Sequence, residues 1–443
     1  MADSKDALKA ALMQRLLGSQ GVLPTSALGR LGRTAGAALR GGRLLLGRGR
    51  HEEGTPLELE ALARVVGSIG ELKGIAMKAG QIMSYIDVAL PEELRTALSV
   101  LQTHAQPMPF EQVRRILRSE LGERGEELLA SMEEAPLAAA SIGQVHRARL
   151  ADGTRVAVKV QYPEIDRAIE ADFGPAAAGS RIASLLYPGA RVDSLLREAR
   201  ERFLEECDYL HEASCQKRFA EVFAGHPVLQ VPEVHEAFCS RRVLTTRFME
   251  GEGLDAFLAR QPTPEVRDRL GQALFGFYVG ALFQHRLYNC DPHPGNYLFQ
   301  REGAVVMLDY GCTRVFETAF VRQLARLTRA VHRDTRDALH ASFVELGMVR
   351  EGQRYDFETA RGLVRAFYGP MLRDETQAID LGEARDMRQV LESKRRLMKL
   401  TLPGEFLFLF RIRFGLMSVL ARLGSRANWF RLEEAYVAPL VDS

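Results

Sequence analysis

Asp291 begins the run Asp291-Pro292-His293-Pro294-Gly295-Asn296, and a second acid, Asp309, begins Asp309-Tyr310-Gly311 18 residues further on. Phosphoryl transfer from a nucleoside triphosphate needs three such groups: a carboxylate facing the acceptor, an amide oxygen on one Mg²⁺, and a carboxylate bridging the metals. The spacing places Asp291 at the base position and assigns Asn296 and Asp309 to Mg²⁺. Asp-x-x-x-x-Asn alone arises often by chance. The spaced Asp-x-Gly behind the apolar run Val305-Val306-Met307-Leu308 makes the pattern more specific.

Upstream, Arg155-Val156-Ala157-Val158-Lys159-Val160 alternates small or branched apolar residues and reads as a strand. Lys159 on such a strand can hold its ammonium toward the α- and β-phosphates of ATP, whereas a lone Val-x-Val-Lys more commonly presents a solvated lysine. The order decides between these. A phosphate loop, a lysine strand, an acidic helix, an Asp…Asn loop and an Asp-x-Gly follow one another as in protein kinases. The expected fold class is therefore α+β and bilobal, with a small β-rich N-lobe and a helical C-lobe. The phosphate loop departs from the usual glycine-rich form, because it reads Ala138-Ala139-Ala140-Ser141-Ile142-Gly143. Alanine carries a Cβ and resists both positive φ and close backbone approach to phosphate, so this loop should hold the nucleotide differently.

Three segments together, Ala138–His146, Val156–Pro163 and Asp291–Asn296, resemble the UbiB/AarF family of atypical protein-kinase-like proteins, which is tied to ubiquinone biosynthesis. Two further marks agree with it: Lys78-Ala79-Gly80-Gln81 matches the family's Lys-x-Gly-Gln, and Glu206-Cys207-Asp208 with Glu212 matches its Glu-x-Asp and downstream Glu. The resemblance implies that Glu212 orients Lys159 and that Glu206 pairs with Lys78 from a helical N-terminal extension packed on the cleft. Residues from Asp193 to about Phe223 read as one long amphipathic helix, with Phe203, Cys207 and Leu210 on its apolar stripe. On such a helix Asp208 and Glu212 share a face, while Glu206 and Glu212 point roughly 120° apart. Two departures stand out. Asn289-Cys290 replaces the His-Arg that precedes the catalytic Asp of ordinary kinases, and Tyr310 replaces Phe in Asp-Phe-Gly.

The remaining elements fit around this core. The 443 residues, 46% of them apolar, exceed one ordinary domain and can bury a large core. Residues 1–50 form a basic arm with nine Lys/Arg against two Asp, suited to peripheral contact with anionic lipid or to a solvated tail. Residues 51–135 read as the helical extension, 136–246 as the N-lobe with inserted helices and 247–443 as the C-lobe. Asp152-Gly153 reads as a hairpin turn. Arg247-Phe248-Met249 reads as the hinge, with Arg247 and Met249 among the nucleotide-binding positions. The uncharged run Leu270–Phe283 is too short to span a bilayer. Five cysteines without a Cys-x-x-Cys pair suggest reduced thiols in a cytoplasmic protein, peripheral to the inner membrane where it touches lipid. His293 is expected to brace its loop.

Two functional classes follow. One is a phosphotransferase or ATPase using ATP and Mg²⁺ in quinone or isoprenoid-lipid metabolism, with quinone-biosynthesis enzymes or isoprenoid intermediates as partners and no nucleic acid. The other is a nucleotide-gated binding module with little turnover. A small-molecule kinase shares the Asp…Asn loop, but the Lys-x-Gly-Gln segment and the alanine loop count against it.

Overall fold

The computed structural model describes residues 107–140, 142–165, 167, 207–380 and 404–442. Lys78, Gln81, Ser141 and Glu206, the basic arm, and the helices expected over 164–186 lie outside the described residues, apart from the first few positions of that last stretch. The chain forms two compact units, one ending at Asp208 and including Phe238–Leu244, the other holding Tyr209–Ala237 and everything from Thr245.

The first unit joins helices α1 (Phe110–Leu121) and α2 (Glu123–Leu129) to an antiparallel sheet of β1 (Ala138–Ala140), β2 (Gly143–Arg149), β3 (Arg155–Gln161) and β4 (Val243–Arg247), in the order β1-β2-β3-β4. Alternation along β3 buries Val156, Val158 and Val160 against Val113, Ile116 and Leu117 of α1, which recur at i, i+3 and i+4. Each such valine contributes about 2 kcal/mol of apolar burial. The β2–β3 turn closes through the Leu150 amide on the Thr154 carbonyl, with Gly153 at φ +85 and the Asp152 carboxylate accepting the Thr154 amide. The alanine run is a strand, and Ala140 pairs with Gly143 across a two-residue hairpin tip.

Gln144, fully buried, binds both the Met108 amide (2.8 Å) and the Met108 carbonyl (3.3 Å). It also donates to Nε2 of His146, whose Nδ1–H goes to the Glu133 carbonyl. Burial lowers the His146 pKa, which keeps the ring neutral as this pairing requires. The Gln-Val-His of the alanine motif thus docks the helical pair on the sheet.

In the second unit, α3 spans Tyr209–Val222. The long helix read from Asp193 does not run through residues 207–208, because the Gln161 side chain takes the Cys207 carbonyl at 3.0 Å and the helix starts after it. Asp208 therefore lies off the helix, beside Arg241 at 3.8 Å, and Leu210 of the expected apolar stripe is exposed. The buried stripe is Tyr209, Glu212, Ala213, Gln216 and Phe219.

Helix α4 (Pro264–Phe275) begins at the Thr263 cap and continues through a π turn, Gly276–Gly280, into Ala281–His285. Four short strands follow: β5 (Leu287–Asn289), β6 (Tyr297–Phe299), β7 (Val305–Met307) and β8 (Thr313–Val315). Around them pack α5 (Thr318–Arg333), α6 (Arg336–Glu345), α7 (Phe357–Tyr368), α8 (Gly404–Leu423) and α9 (Trp429–Val441). No helix among the described residues is long and apolar enough to cross a membrane.

Candidate active site

Two antiparallel ladders close the 18-residue gap between Asp291 and Asp309. In one, β5 pairs with β8 from Leu287↔Val315 to Asn289↔Thr313; in the other, β6 pairs with β7 from Tyr297↔Met307 to Phe299↔Val305. The Leu308 amide donates to the Asn296 carbonyl (2.9 Å), so Asn296 and Asp309 sit at the open end of the β6–β7 hairpin. Both loops, 290–296 and 308–312, are held between the ladders.

Side chains then fix the loops to each other. Asn289, 2% exposed, accepts the Asp291 amide on Oδ1 (3.0 Å) and donates Nδ2–H to the Asp309 carbonyl (2.8 Å). It bridges the two acidic segments, using the amide's donor and acceptor at once. Asn296 directs Nδ2 at both the Asp291 carbonyl (3.0 Å) and Asp291 Oδ2 (2.9 Å), which turns its own Oδ1 to the opposite side. Asp309 Oδ1 accepts the Gly311 amide at 2.9 Å. The buried Glu212 carboxylate lies over Gly311, where a Cβ would stand 3.4 Å from Oε2. His293 accepts the Gly295 amide on Nδ1 (3.0 Å) and so braces its own loop.

The donors fit Mg²⁺. Asn296 Oδ1 and the second carboxylate oxygen of Asp309 are hard oxygen donors of the kind that Mg²⁺ takes. No cluster of three or more His, Cys, Asp or Glu that could hold a metal by itself occurs among the described residues. In the first unit, Lys159 stands opposite Val145, which stands opposite Ala138, in one row on the sheet face away from the valine core. Ala140 and Gly143 continue that face, whereas Ala139 pairs with Gln144. The Arg247 guanidinium lies on Glu233 (2.8 Å) at the surface, and Met249 is half-buried.

Residues 100–342 match the ABC1 atypical kinase-like domain. The chain belongs to this family. Among its relatives, the mitochondrial atypical kinase COQ8B of Rattus norvegicus is 33% identical over 331 residues, covering 74% of this chain and 61% of that protein. The mitochondrial atypical kinase COQ8 of Saccharomyces cerevisiae is 31% identical over 287 residues, 64% of this chain and 57% of that one. AarF domain-containing protein kinase 1 of Gallus gallus is 30% identical over 268 residues, covering 58% and 51%. The chain thus spans roughly half to three fifths of these curated relatives' lengths. The solved Rv3197–erythromycin complex of Mycobacterium tuberculosis superposes with a TM-score of 0.62 at 28% identity, over 87% of this chain and 98% of that one. The UbiB/AarF resemblance and the α+β, bilobal kinase-like fold hold.

Some supports of the acidic loop come from beyond residues 100–342. Gly415 of α8 faces Pro292, and a Cβ there would stand 2.4 Å from the proline Cγ, so only glycine fits. Tyr436 of α9 covers the flank of the π turn, within 3.2 Å of where Cβ atoms on Gly276 and Gly280 would be. That turn aims Tyr278 at the loop, where its hydroxyl donates to the Asp291 carbonyl (3.4 Å) and meets the Tyr297 hydroxyl (2.9 Å). Burial pushes both phenol pKa values up, so both stay protonated as donors. Tyr310 turns inward, donates to the Met307 carbonyl (3.1 Å) and packs on Phe219 of α3 at 5.3 Å. Asn289, Tyr278 and Gly415 were not singled out from sequence as site residues. Only Asn289 carried a signal, as an amide standing where a His is usual.

Proposed function

We propose that this atypical kinase-like chain binds ATP with Mg²⁺ and turns it over, by hydrolysis or by transfer of the γ-phosphoryl group, in quinone or isoprenoid-lipid metabolism. The observation that carries the reading is Asn296. Its amide nitrogen donates to the Asp291 carbonyl and Oδ2, which leaves its oxygen to serve a cation and supports a role for Asp291 toward the acceptor. The charge neutralisation that the phosphates need would be supplied by Mg²⁺. Asn296 Oδ1 and Asp309 would hold it. Asp291, with Oδ2 held by Asn296, would take the proton of an attacking hydroxyl or water on Oδ1. Lys159 would bind the α- and β-phosphates and Glu212 would orient it. Ala138–Ser141 would cover the phosphates, and the backbone of Arg247–Met249 would face adenine.

The relatives named COQ8 support the quinone setting, and the family resemblance supports a second lysine–carboxylate set of Lys78, Gln81, Glu206 and Asp208 on an extension over residues 51–135. The basic arm of residues 1–50 would bring the chain to anionic lipid at a membrane surface. The test is Mg²⁺-dependent ATP hydrolysis by the purified chain, with and without anionic liposomes, beside Asp309→Asn and Lys159→Ala. Turnover that rises with liposomes and falls at least a hundredfold in both variants is expected, about 3 kcal/mol of transition-state stabilisation. Equal turnover in wild type and both variants would sink the assignment. A second reading, a binding module with little turnover, draws on the erythromycin bound to the solved neighbour. Saturable macrolide binding without ATP hydrolysis would favour it.

A further inference from the structure

Cys290 and Cys312 sit one step beyond the β5–β8 ladder, whose register runs Leu287↔Val315, Tyr288↔Arg314, Asn289↔Thr313. The next opposed pair is Cys290 and Cys312, and the Cys290 amide donates to the Cys312 carbonyl at 2.6 Å. At the other end the Phe316 amide donates to the Arg286 carbonyl (3.0 Å), so the alternation of bonded and non-bonded pairs is continuous through the cysteines. Directly opposed residues project to the same side of an antiparallel pair, with Cα atoms roughly 5.5 Å apart at a bonded position. That separation lies inside the range a disulfide spans, about 4.4–6.8 Å. Both residues pack against the same apolar core, Cys290 fully buried and Cys312 partly exposed. The thiols flank the acidic segments, since Cys290 precedes Asp291 and Cys312 follows Gly311.

We propose that Cys290 and Cys312 are a hydroperoxide-sensitive dithiol that closes to a disulfide and reversibly shuts down the site. The Cys312 sulfur, the more accessible of the two, attacks the O–O bond of a hydroperoxide; the S–O bond forms, the O–O bond breaks, and water or an alcohol leaves. The Cys290 sulfur then displaces the hydroxyl from the sulfenic acid, and its own proton departs with that hydroxyl as water. Two thiols are oxidised and one hydroperoxide is reduced. Exchange with an external dithiol restores both thiols. To reach Cys312, the Cys290 thiol must leave the Tyr288 carbonyl to which it now donates at 3.5 Å. The neighbouring Asn289 passes that movement to the Asp291 amide and the Asp309 carbonyl. The fall in turnover rests on the ATP reading above; the linkage itself does not.

The full chain is treated with a slight excess of hydrogen peroxide, alkylated, digested without reductant and mapped by mass spectrometry. A Cys290–Cys312 linked peptide should form, vanish with dithiothreitol and be absent from Cys312→Ser and Cys290→Ala. Hydrogen exchange over 289–296 and 308–313, which needs no nucleotide, should change at least threefold on linkage and revert on reduction. ATP turnover should fall at least fivefold in oxidised wild type and less than twofold in peroxide-treated Cys312→Ser. Over-oxidation of Cys312 without a link, or links only to Cys207, Cys215 or Cys239, overturns the proposal. So does a complete link that leaves exchange and turnover unchanged. Absence of turnover from the reduced protein would instead defeat the ATP reading, with linkage and exchange still deciding this one.

Discussion

Asn289→Ala removes one side chain from between the two acidic segments, and its cost can be worked from the bonds it makes. The Asp291 amide loses its 3.0 Å acceptor and the Asp309 carbonyl its 2.8 Å donor, at a position 2% exposed. A buried group left without its partner costs about 1–3 kcal/mol, and two such groups about 2–6 before relaxation or water entry, so about 3 kcal/mol is expected. Trp429 reports it directly. It is the only tryptophan, it is buried in the same unit as Asn289, and its indole N–H donates to the Gln377 carbonyl at 3.0 Å. With a urea slope near 3 kcal/mol/M for a unit of this size, the tryptophan-detected midpoint should fall by about 1 M. Asn289→Asp separates hydrogen bonding from packing. It keeps an acceptor for the Asp291 amide but sets a carboxylate oxygen against the Asp309 carbonyl, and should lose at least as much. Steady-state ATPase assays should show kcat down by about 10²-fold with KM for ATP little changed, the signature of misplaced rather than missing groups. A midpoint within about 0.2 M of wild type, with kcat within about twofold, would refute the bridging role.

Glu433→Gln strips the counter-charge from Arg413 (2.7 and 3.0 Å) and His332 (3.2 Å) in a buried setting. The same fluorescence assay should register a loss of about 3–5 kcal/mol. Arg413→Met with Glu433→Leu removes both charges and should stay within about 2 kcal/mol of wild type. His332 adds a pH dependence. Burial of the ring works to lower its pKa, but the Glu433 and Glu434 carboxylates together outweigh burial and raise it above 6.5. Its contribution is therefore complete below about pH 6.5 and is lost as pH rises through the raised folded value; urea midpoints measured from about pH 6 to about pH 9 should show this limb, and His332→Asn should flatten it. Glu433 moves oppositely: burial would raise it, but Arg413 and His332 hold it at about 2, so its contribution is complete above about pH 4.5 and is lost as the pH falls from there through the folded value. Gly415→Val would drive atoms into Pro292 and cost about 1–3 kcal/mol of overpacking, with kcat falling more than KM rises in the ATPase assay.

The parts of this protein legible in its sequence are those set by short separations. Asp291 and Asn296 share one loop, and Asp309 returns to them through a hairpin whose strands are apolar. The valines of β3 alternate, and Asp152-Gly153 marks its turn. The alanine run, read as a phosphate loop, was not legible as a strand, because its pairing depends on β2 rather than on its own propensity. The long helix before Glu212 was over-read for a similar reason: a glutamine on β3 intercepts the Cys207 carbonyl. Asn289 looked like a departure from a motif, yet an amide supplies the same donor and acceptor as an imidazole. Tyr278, Gly415 and the His332–Glu433 pair could not be read at all, since the loop or charge that gives each its meaning comes from a distant element.

The buried charges raise a physical question that net stability does not answer. Desolvating Arg413, Glu433 and His332 costs about what their mutual attraction returns, so the network adds little to stability over well-packed hydrophobic residues. Its effect lies in the arrangements it forbids. An apolar helix such as α8 can slide against apolar neighbours at small cost, and one residue of slip moves it about 1.5 Å along its axis and rotates it by about 100°. Phe414 or Leu416 would then face Pro292 where only Gly415 fits, and the loop carrying Asp291 would be displaced. Arg413, two residues before Gly415, can meet Glu433 of α9 in one register only, and the fork of two bonds penalises any other. The Arg413→Met, Glu433→Leu pair therefore separates two quantities that usually move together. Stability held with turnover lost means the ions set the register of α8 under the site, and stability held with turnover kept means that apolar packing alone suffices.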